Sequence, residues 1–316
     1  MSSISRYKIP PALFGARVDR ALAQLIPDYS GARLQRLVRR GGVELNGGRL
    51  TRSNGTLKSG DLFAVDFAAL DQDEDPPPYA VVHEDEHILV VDKFAGLLVH
   101  ENERLQGASL ATLLDERFGP LPDLRGEHRP GIVHRLDRET SGIMVVARRS
   151  LAMRRLLDAF AGRRVSKTYL AVIHGEPTAD ELDLNDRLEP EPDHVDRQRI
   201  ARSDEGKSAR TRVRTLERFG DFSLVECRPT TGRRHQIRVH LAAHGHRIVD
   251  DRLYGSSLRD APLGAPWPIR HQLHAQAIEF EHPFEEESVR YEAPIPADMQ
   301  RLLNWLRAQA ESPAKS

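Results

Sequence analysis

The chain has 316 residues, of which 39 % are apolar and 29 % charged, with one cysteine and a formal net charge of −1 at pH 7. This composition is typical of a globular protein with room for two domains, and the lone Cys227 excludes an intrachain disulfide or a multi-cysteine metal site. The near-neutral total argues against a protein that coats nucleic acid non-specifically. No apolar run approaches the roughly 18 residues of a membrane span, and the N-terminus lacks a signal-peptide core, so we expect a cytoplasmic protein without membrane contact.

Residues 1–70 are predicted to form a small module. Apolar residues from Val18 to Leu25 recur at helical spacing, and the pattern stops at Pro27. Ser30 can cap a second helix over residues 31–40, whose apolar side is Leu34, Leu37 and Val38. A strand at 43–45 runs into Asn46-Gly47, a strong hairpin signal, and residues 62–67 are predicted to form a closing strand.

This module is strongly basic. Between Arg17 and Lys58 there are nine Lys or Arg against three acidic residues, a local charge of +6 in a chain whose total is −1. Such an asymmetry favours a phosphate-binding face over an ordinary solvated helix surface. The predicted RNA contacts of the second helix are Arg33, Arg36, Arg39 and Arg40.

Residues 71–78 combine acidic side chains with three prolines and are predicted to be an extended linker. The main domain is predicted to span residues 79–310, followed by a flexible tail at 311–316. Its predicted strands include 88–93, 167–175, 206–217 and 222–228, with residues 176–205 as a surface hairpin. Predicted helices are 109–118, one capped by Ser150 and ending at Gly162, and one capped by Thr230 or Thr231 and ending at Gly245. This pattern predicts an α+β fold with a mixed, mainly antiparallel sheet and flanking helices.

A second basic cluster lies on and just after the helix that begins at Ser150. Its members are predicted to contact RNA, and they are Arg154, Arg155, Arg163, Arg164 and Lys167.

The most informative stretch is GIVHRLDRETSG at residues 131–142. It concentrates charged residues between two short apolar runs, Ile132-Val133 and 143–147, which are predicted to be buried strands. A carboxylate on such a loop is held in place and can still reach a ligand. On its own, a run of this kind more often indicates a charged surface turn.

HRLDRETSG resembles the catalytic motif of the pseudouridine synthases, in particular the RluA-type branch that modifies structured RNA. Residues 92–100, 167–175, 230–241 and 250–255 resemble further motifs of that family, and the N-terminal helices and hairpin resemble the alpha-L RNA-binding motif. The resemblance covers most of residues 79–308. The chain departs from the family pattern in having Phe94 for Pro, Ile173 for Val, Arg234 for Thr and Asp250 for Gly.

The resemblance implies an isomerase that converts uridine to pseudouridine. Large-subunit ribosomal RNA is the expected substrate, and transfer RNA is the alternative. It implies a catalytic Asp137, whose point of attack (C1′ or C6) stays open, and Arg238 as the cation that keeps this carboxylate ionised. Tyr169 would line the uridine pocket, and Arg135 would occupy the space of the flipped-out base. The reaction requires no cofactor or metal, and we expect a monomer.

Two other functions compete with this hypothesis. The first is an RNA-binding protein that uses the fold without catalysis, which an intact set of Asp137, Tyr169 and Arg238 argues against. The second is a metal-dependent hydrolase, because His240 and His244 have the i, i+4 spacing of zinc ligands. No Glu follows His240 to complete HExxH, so we predict no metal site.

Overall fold

A computed structural model describes residues 4–27, 29, 34, 37–38, 41–50, 55–67, 78–101, 109–124, 126, 129–256, 260–285 and 287–311. The chain divides into two compact units: residues 1–77 with 101–108, and residues 78–100 with 109–316. Within the described ranges, no helix is both long enough and apolar enough to cross a bilayer.

The first unit is a four-stranded antiparallel sheet with a helix packed on it. The strands are β1 (Ile4–Lys8), β2 (Val43–Leu45), β3 (Gly48–Arg49) and β4 (Leu62–Asp66), in the order β1-β4-β2-β3. Helix α1 (Val18–Leu25) buries the side of Leu22 against Phe63 and Val65. The predicted hairpin is confirmed, because Asn46 and Gly47 both have positive φ, 53° and 77°, as a tight β2–β3 turn requires.

The apolar side of the predicted second helix is present. Leu34, Leu37 and Val38 are helical and buried in the core of this unit. Its four arginines, Arg33, Arg36, Arg39 and Arg40, lie outside the described residues, as do 71–77 of the predicted linker and 312–316 of the predicted tail.

The second unit is built on one large sheet that is antiparallel except for a parallel pair. The strands are β5 (Tyr79–Glu84), β6 (Ile88–Lys93), β7 (Ser141–Ala147), β8 (Ser166–His174), β9 (Glu181–Pro190), β10 (Gln198–Ile200), β11 (Lys207–Arg218), β12 (Phe222–Pro229), β13 (Leu273–Glu281) and β14 (Ser288–Glu292). Along the main path of the sheet their order is β10-β9-β11-β12-β8-β13-β7-β6-β5, and β14 also pairs with β13. The parallel pair is β13 with β7.

Helices cover both faces of this sheet, in agreement with the predicted flanking helices. They are α2 (Leu110–Phe118), α3 (Ser150–Ala161), α4 (Gln236–Ala243) and α5 (Ala297–Glu311). Alternate residues of β6 and β7 contact different helices: Met144 lies in the α2 cluster and Val145 in the α3 cluster. Strand β7 is therefore buried along its whole length, and its continuous apolar run follows from having a helix on each side.

Three local predictions are corrected. Residue Ser150 is the first residue of α3 and caps nothing; the cap position is Arg149, without a side-chain hydrogen bond. Helix α4 is not capped by a threonine, because His235 enters it in a left-handed conformation with φ 55°. Before the charged loop there is no full strand but a single bridge between Ile132 and Val146, because the chain must leave the sheet there to form the loop.

Gly142 allows β13 to approach β7 where the charged loop ends. Its φ is +119°, and a Cβ there would lie 2.2 Å from the carbonyl oxygen of Ala275 and 2.6 Å from its nitrogen. Ala275 is the parallel pairing partner of Gly142, so this contact is part of the sheet itself. Any larger residue must push the two strands apart.

We therefore expect Gly142→Ala to lower the free energy of unfolding by about 2–4 kcal/mol, through a backbone clash added to backbone strain. Urea unfolding of the full chain measures it. Gly96→Ala is the matched control, since Gly96 has φ +90° but a Cβ added there would meet no atom within 4 Å. The control should lose only the roughly 1–2 kcal/mol of a left-handed residue. Equal losses would show that the close approach to Ala275 contributes nothing.

Candidate active site

A buried lysine holds the backbone of the charged loop at residues 131–140 in place. Lys93 is fully buried, and its Nζ donates to the carbonyl oxygens of Arg138 at 3.0 Å, Leu97 at 3.0 Å and Phe94 at 3.1 Å. Burial lowers the pKa of Lys93 to about 7. Three carbonyl acceptors match the three N–H donors of an ammonium group, so the lysine ties the loop to the segment after β6.

Two further contacts hold the ends of the loop. His134 stacks on Phe160 with ring centroids 4.7 Å apart, and its Nε2 accepts from the Val145 N–H at 3.0 Å. Burial lowers the pKa of His134 to about 3, which keeps the imidazole neutral and able to accept. At the other end, Arg270 donates to the Glu139 carbonyl at 3.1 Å. The loop backbone is therefore anchored on both sides of Asp137.

A buried guanidinium joins two carboxylates at the centre of the site. Arg238, on α4, donates from Nη1 to Asp137 Oδ2 at 2.9 Å. Its Nε and Nη2 form a two-pronged contact with Asp251 at 2.7 and 2.8 Å. The Asp251 side chain is 1 % exposed and that of Arg238 7 %, so this pair is almost dry. The ring of Tyr254 lies beneath the guanidinium, with its centroid 5.1 Å from Cζ.

This arrangement controls the charge of Asp137. Burial pushes the pKa of this carboxyl upward, but the charges of His235 in its protonated form, of Arg238 and of protonated His271, together with the hydrogen bond from Arg238, outweigh it and lower the pKa below its ordinary value. Burial lowers the pKa values of His235 and His271 to about 4 and about 3, so both imidazoles are neutral at pH 7. The permanent cation beside Asp137 is therefore Arg238.

A cleft of about 500 Å³ opens in front of this network. The sequence-predicted residues that line it together are Asp137, Tyr169, Arg238, Arg135, Arg163 and Lys167. Tyr169 reaches it from β8, and burial followed by the Asp137 charge raises the pKa of its hydroxyl, which stays protonated. Burial lowers the pKa of Lys167 to about 8. A flat ring, an ionised carboxylate and several cations thus share one opening.

The remaining cations of the predicted basic cluster lie elsewhere. Arg155 and Arg164 line a separate hollow, where Arg155 donates to the Pro283 carbonyl and Arg164 lies 3.9 Å from Glu281. Arg154 is exposed on α3. The structure therefore brings Arg163 and Lys167 to the cleft and leaves the other three outside its lining.

Sequence reasoning missed three residues of this site. Asp251 lies in the family-like motif at 250–255, but nothing in the sequence pairs it with Arg238. Lys93 has the pattern of an ordinary strand-end lysine. His235 belongs by sequence to a group of neighbouring histidines, whereas the structure places its Nε2 3.7 Å from Asp137 Oδ1.

The other histidines of that group face different partners. His240 is buried with Nδ1 2.9 Å from Thr211 Oγ1, and His244 lies 3.0 Å from Asp186. Among the residues with described positions, no three His, Cys, Asp or Glu side chains are grouped so as to hold a metal ion. The spacing of His240 and His244 thus serves two separate hydrogen bonds.

Comparison with known proteins decides the family. Residues 87–243 match the family described as RNA pseudouridylate synthase. Ribosomal large subunit pseudouridine synthase D of Xanthomonas campestris is 38 % identical over 99 % of this chain and 96 % of its own. The chain belongs to the RNA pseudouridylate synthase family. An uncharacterized RNA pseudouridine synthase of Bacillus subtilis is 35 % identical over 92 % of this chain and 94 % of its own.

Solved structures agree with this fold. The human protein named RNA Pseudouridylate Synthase Domain Containing 4 aligns with a TM-score of 0.57 at 25 % identity, and the alignment covers 72 % of this chain and 93 % of that protein's chain. The human protein named RNA Pseudouridylate Synthase Domain Containing 1 aligns with a TM-score of 0.53 at 28 % identity, and the alignment covers 73 % of this chain and 95 % of that protein's chain. The protein is therefore an RNA pseudouridine synthase, an isomerase that converts uridine in RNA to pseudouridine.

The synthase should be sensitive to the shape of the cation at residue 238. We expect Arg238→Lys to lower the single-turnover rate at pH 7 by about tenfold or more, because one ammonium cannot replace a planar fork that binds two carboxylates. The loss of the guanidinium also raises the pKa of Asp137, so the acid limb of the pH–rate profile should move to higher pH. Measurement of the rate from pH 4 to 8 tests both effects.

Arg307→Lys is the matched control, since Arg307 also forms a two-pronged pair, with Glu217, but lies outside the lining of the cleft. It should leave the profile unchanged. An Arg238→Lys enzyme with an unshifted acid limb would show that Arg238 does not set the ionisation of Asp137.

Proposed function

We propose that this synthase modifies uridine in large-subunit ribosomal RNA and that Asp137 is its catalytic carboxylate. The observation that supports this most directly is the geometry of Asp137. One oxygen, Oδ2, is held by Arg238, and the other, Oδ1, makes no hydrogen bond to any described residue while its side chain lines the cleft. A carboxylate held in this way is ionised, oriented and open to substrate.

The chemistry follows from the reaction. The C1′–N1 bond of the uridine breaks, the uracil turns, and C5 forms the new bond to C1′. C5 then loses its proton, and N1, which kept the electron pair of the broken bond, gains one. Atoms and electrons balance within the nucleoside, so the isomerisation needs no redox cofactor. Asp137 would supply the carboxylate that acts at C1′ or C6, and Arg238 would keep it charged.

Tyr169 would bind the detached uracil, and Arg135 would fill the space that the flipped-out base leaves. The ring of Tyr169 offers a flat surface inside the cleft, and its protonated hydroxyl can bond the detached uracil. Removing a uridine from its stack costs a few kcal/mol. Arg135 is exposed at the cleft and has no carboxylate within ion-pair distance among the described residues, so its guanidinium can occupy the vacated space and stack there.

Cations without acidic partners would bind the RNA backbone. Arg163, Lys167 and Arg135 line the cleft without an ion pair to a described carboxylate. Arg164 is within 4 Å of Glu281, and Arg155 is anchored on Pro283, so they should contribute less to phosphate binding. Arg154 would add to the surface outside the cleft. The basic N-terminal module, with Arg33, Arg36, Arg39 and Arg40, would supply most of the remaining contacts.

The choice of ribosomal RNA over transfer RNA rests on the relatives and on the module. Relatives from Xanthomonas campestris and Pseudomonas aeruginosa, 38 % and 35 % identical, are both named ribosomal large subunit pseudouridine synthase D. A basic N-terminal module fits a large, structured RNA. With this substrate the synthase would act in the cytoplasm, and we propose that it does so as a monomer.

Cells that lack the protein should therefore lose one or more pseudouridines from large-subunit ribosomal RNA and keep those of transfer RNA. The intact gene should restore them, and Asp137→Asn should not, because the change keeps the shape and removes the charge of the carboxylate. Purified Asp137→Asn should lose activity by orders of magnitude while still binding RNA. Pseudouridine mapping of ribosomal and transfer RNA from these cells measures which pseudouridines are lost and restored. A loss confined to transfer RNA would refute the ribosomal substrate, and less than about a tenfold drop in activity would refute the role of Asp137.

Removal of residues 1–70 should weaken RNA binding without abolishing the chemical step. The deleted segment carries the +6 stretch from Arg17 to Lys58. Each lost phosphate contact lowers the slope of log affinity against log salt by about 0.7–0.9, so loss of half the nine cations predicts a fall of roughly 3 to 4. Salt titrations of binding and single-turnover assays at saturating enzyme compare the intact and truncated proteins.

The salt titration and the single-turnover assay distinguish two ways in which this prediction can fail. An unchanged salt slope would mean that the basic face of the module is only solvated. A truncated protein that folds but cannot convert uridine at saturation would mean that the module helps to build the active site.

A further inference from the structure

His235 occupies an unusual position in the active site. It is the residue before α4, its backbone is left-handed with φ 55°, and its side chain is 9 % exposed at the edge of the cleft. A non-glycine residue in this conformation carries strain that the surrounding structure must support. Strain of this kind is found at functional positions, and it indicates a role for the His235 side chain.

The two ring nitrogens of His235 have different surroundings. Nδ1 lies 3.0 Å from the hydroxyl of Tyr254. Nε2 lies 3.7 Å from Asp137 Oδ1, too far for a hydrogen bond, and makes none with any other residue whose position is described. One nitrogen is therefore engaged by the protein, and the other faces the cleft beside the free oxygen of the carboxylate.

A short chain of hydrogen bonds fixes which nitrogen carries the proton. The backbone N–H of Gln198, on β10, donates to the Tyr254 hydroxyl oxygen at 3.0 Å. Burial raises the pKa of Tyr254 to about 12, so the hydroxyl keeps its hydrogen, and His235 Nδ1 is its acceptor among the described residues. A neutral imidazole that accepts at Nδ1 must carry its proton at Nε2.

We infer that His235 is an uncharged hydrogen-bond donor to the substrate, binding the uracil carbonyl oxygen O2 through its Nε2–H. The inference deepens the proposed function and rests on it, because it requires Asp137 to act at C1′ or C6 of the bound uridine. A reacting carbon about 3–3.5 Å from the carboxylate oxygen brings the neighbouring base within reach of a nitrogen on the same side. Of the two uracil oxygens, O2 is nearer the glycosidic nitrogen.

The chemistry explains why a neutral donor suits this place. When the C1′–N1 bond breaks, its electron pair stays with the uracil and spreads over N1, O2 and O4. A donor aimed at O2 stabilises this charge as it develops. Because a neutral imidazole gives up its N–H proton far less readily than an imidazolium, it stabilises the anion without protonating it. The uracil therefore stays reactive for the new bond at C5.

The test pairs a change in the protein with a change in the substrate. The probe is a large-subunit ribosomal RNA fragment carrying uridine or 2-thiouridine at the mapped position, since sulfur accepts hydrogen bonds weakly. His235→Phe keeps a ring and removes the N–H, so it should lower the single-turnover rate on uridine about 10²-fold and leave the RNA dissociation constant within about twofold. On 2-thiouridine the same variant should be slowed by no more than about threefold, because the two changes remove one interaction.

Two further variants refine the result, and a third serves as the control. Tyr254→Phe keeps the ring beneath Arg238 but frees the tautomer of His235, so it should slow uridine conversion about fivefold and 2-thiouridine conversion hardly at all. His235→Gln places an N–H near the former Nε2 and should recover part of the rate on uridine alone. Tyr291→Phe removes a hydroxyl outside the lining of the cleft and should match the intact enzyme.

Equal slowing of both substrates by His235→Phe would overturn the inference, since His235 would then act only through the fold or through Asp137. Should that variant fail to fold, His235→Asn replaces it, because asparagine tolerates left-handed backbone and its shorter side chain cannot reach O2. The proposed function fails separately: an active Asp137→Asn enzyme would refute the role of Asp137 on either substrate, whatever His235 does.

Discussion

The candidate active site depends on one guanidinium shared by two carboxylates. Arg238 offers its forked edge to buried Asp251 and a single N–H to Asp137. Unpaired, any of these three charges would cost several kcal/mol in so dry a place. Together they form a network with net charge −1, in which Asp251 compensates the arginine and the excess charge resides on Asp137. The carboxylate that faces the cleft is thus kept ionised without being fully neutralised.

The surrounding polar residues serve to hold this network in position. The loop of Asp137 rests on buried Lys93 and is fastened by Arg270, while α4 presents Arg238 after the left-handed turn at His235. The buried imidazoles at residues 134, 235 and 271 are neutral because burial lowers their pKa values. Neutral histidines add directional hydrogen bonds without adding charge, so they do not compete with Arg238 for Asp137. The site therefore has one dominant cation and several uncharged positioning groups.

The edge of the large sheet is also connected to this network. Its terminal hairpin, β9 and β10, is predicted from sequence only as a surface excursion, yet Gln198 of β10 bonds the hydroxyl of Tyr254. Arg197 lies 5.3 Å from the centre of the same ring, and Asp196 pairs with Arg234 at the cleft at 3.0 Å. The hairpin thus contacts the candidate active site through Tyr254 and Arg234, although none of its described residues belongs to the charge network around Arg238.

The sequence by itself determined the local elements and the family. Apolar spacing located α1, the helical face of Leu34, Leu37 and Val38, and the strand before Lys93, because these patterns reflect which side of each element is buried. Asn46-Gly47 specified its hairpin through backbone preference alone. Contiguous motifs pointed to Asp137, Tyr169 and Arg238. Only the tertiary structure showed that Asp251 is the second partner of Arg238, that Lys93 supports the loop, and that Nε2 of His235 lies beside Asp137 at the cleft. These features join separate segments of the chain; Lys93 and Arg138, for example, are 45 residues apart. Local patterns do not encode which distant polar groups meet, and burial decides their protonation only once the fold has brought them together.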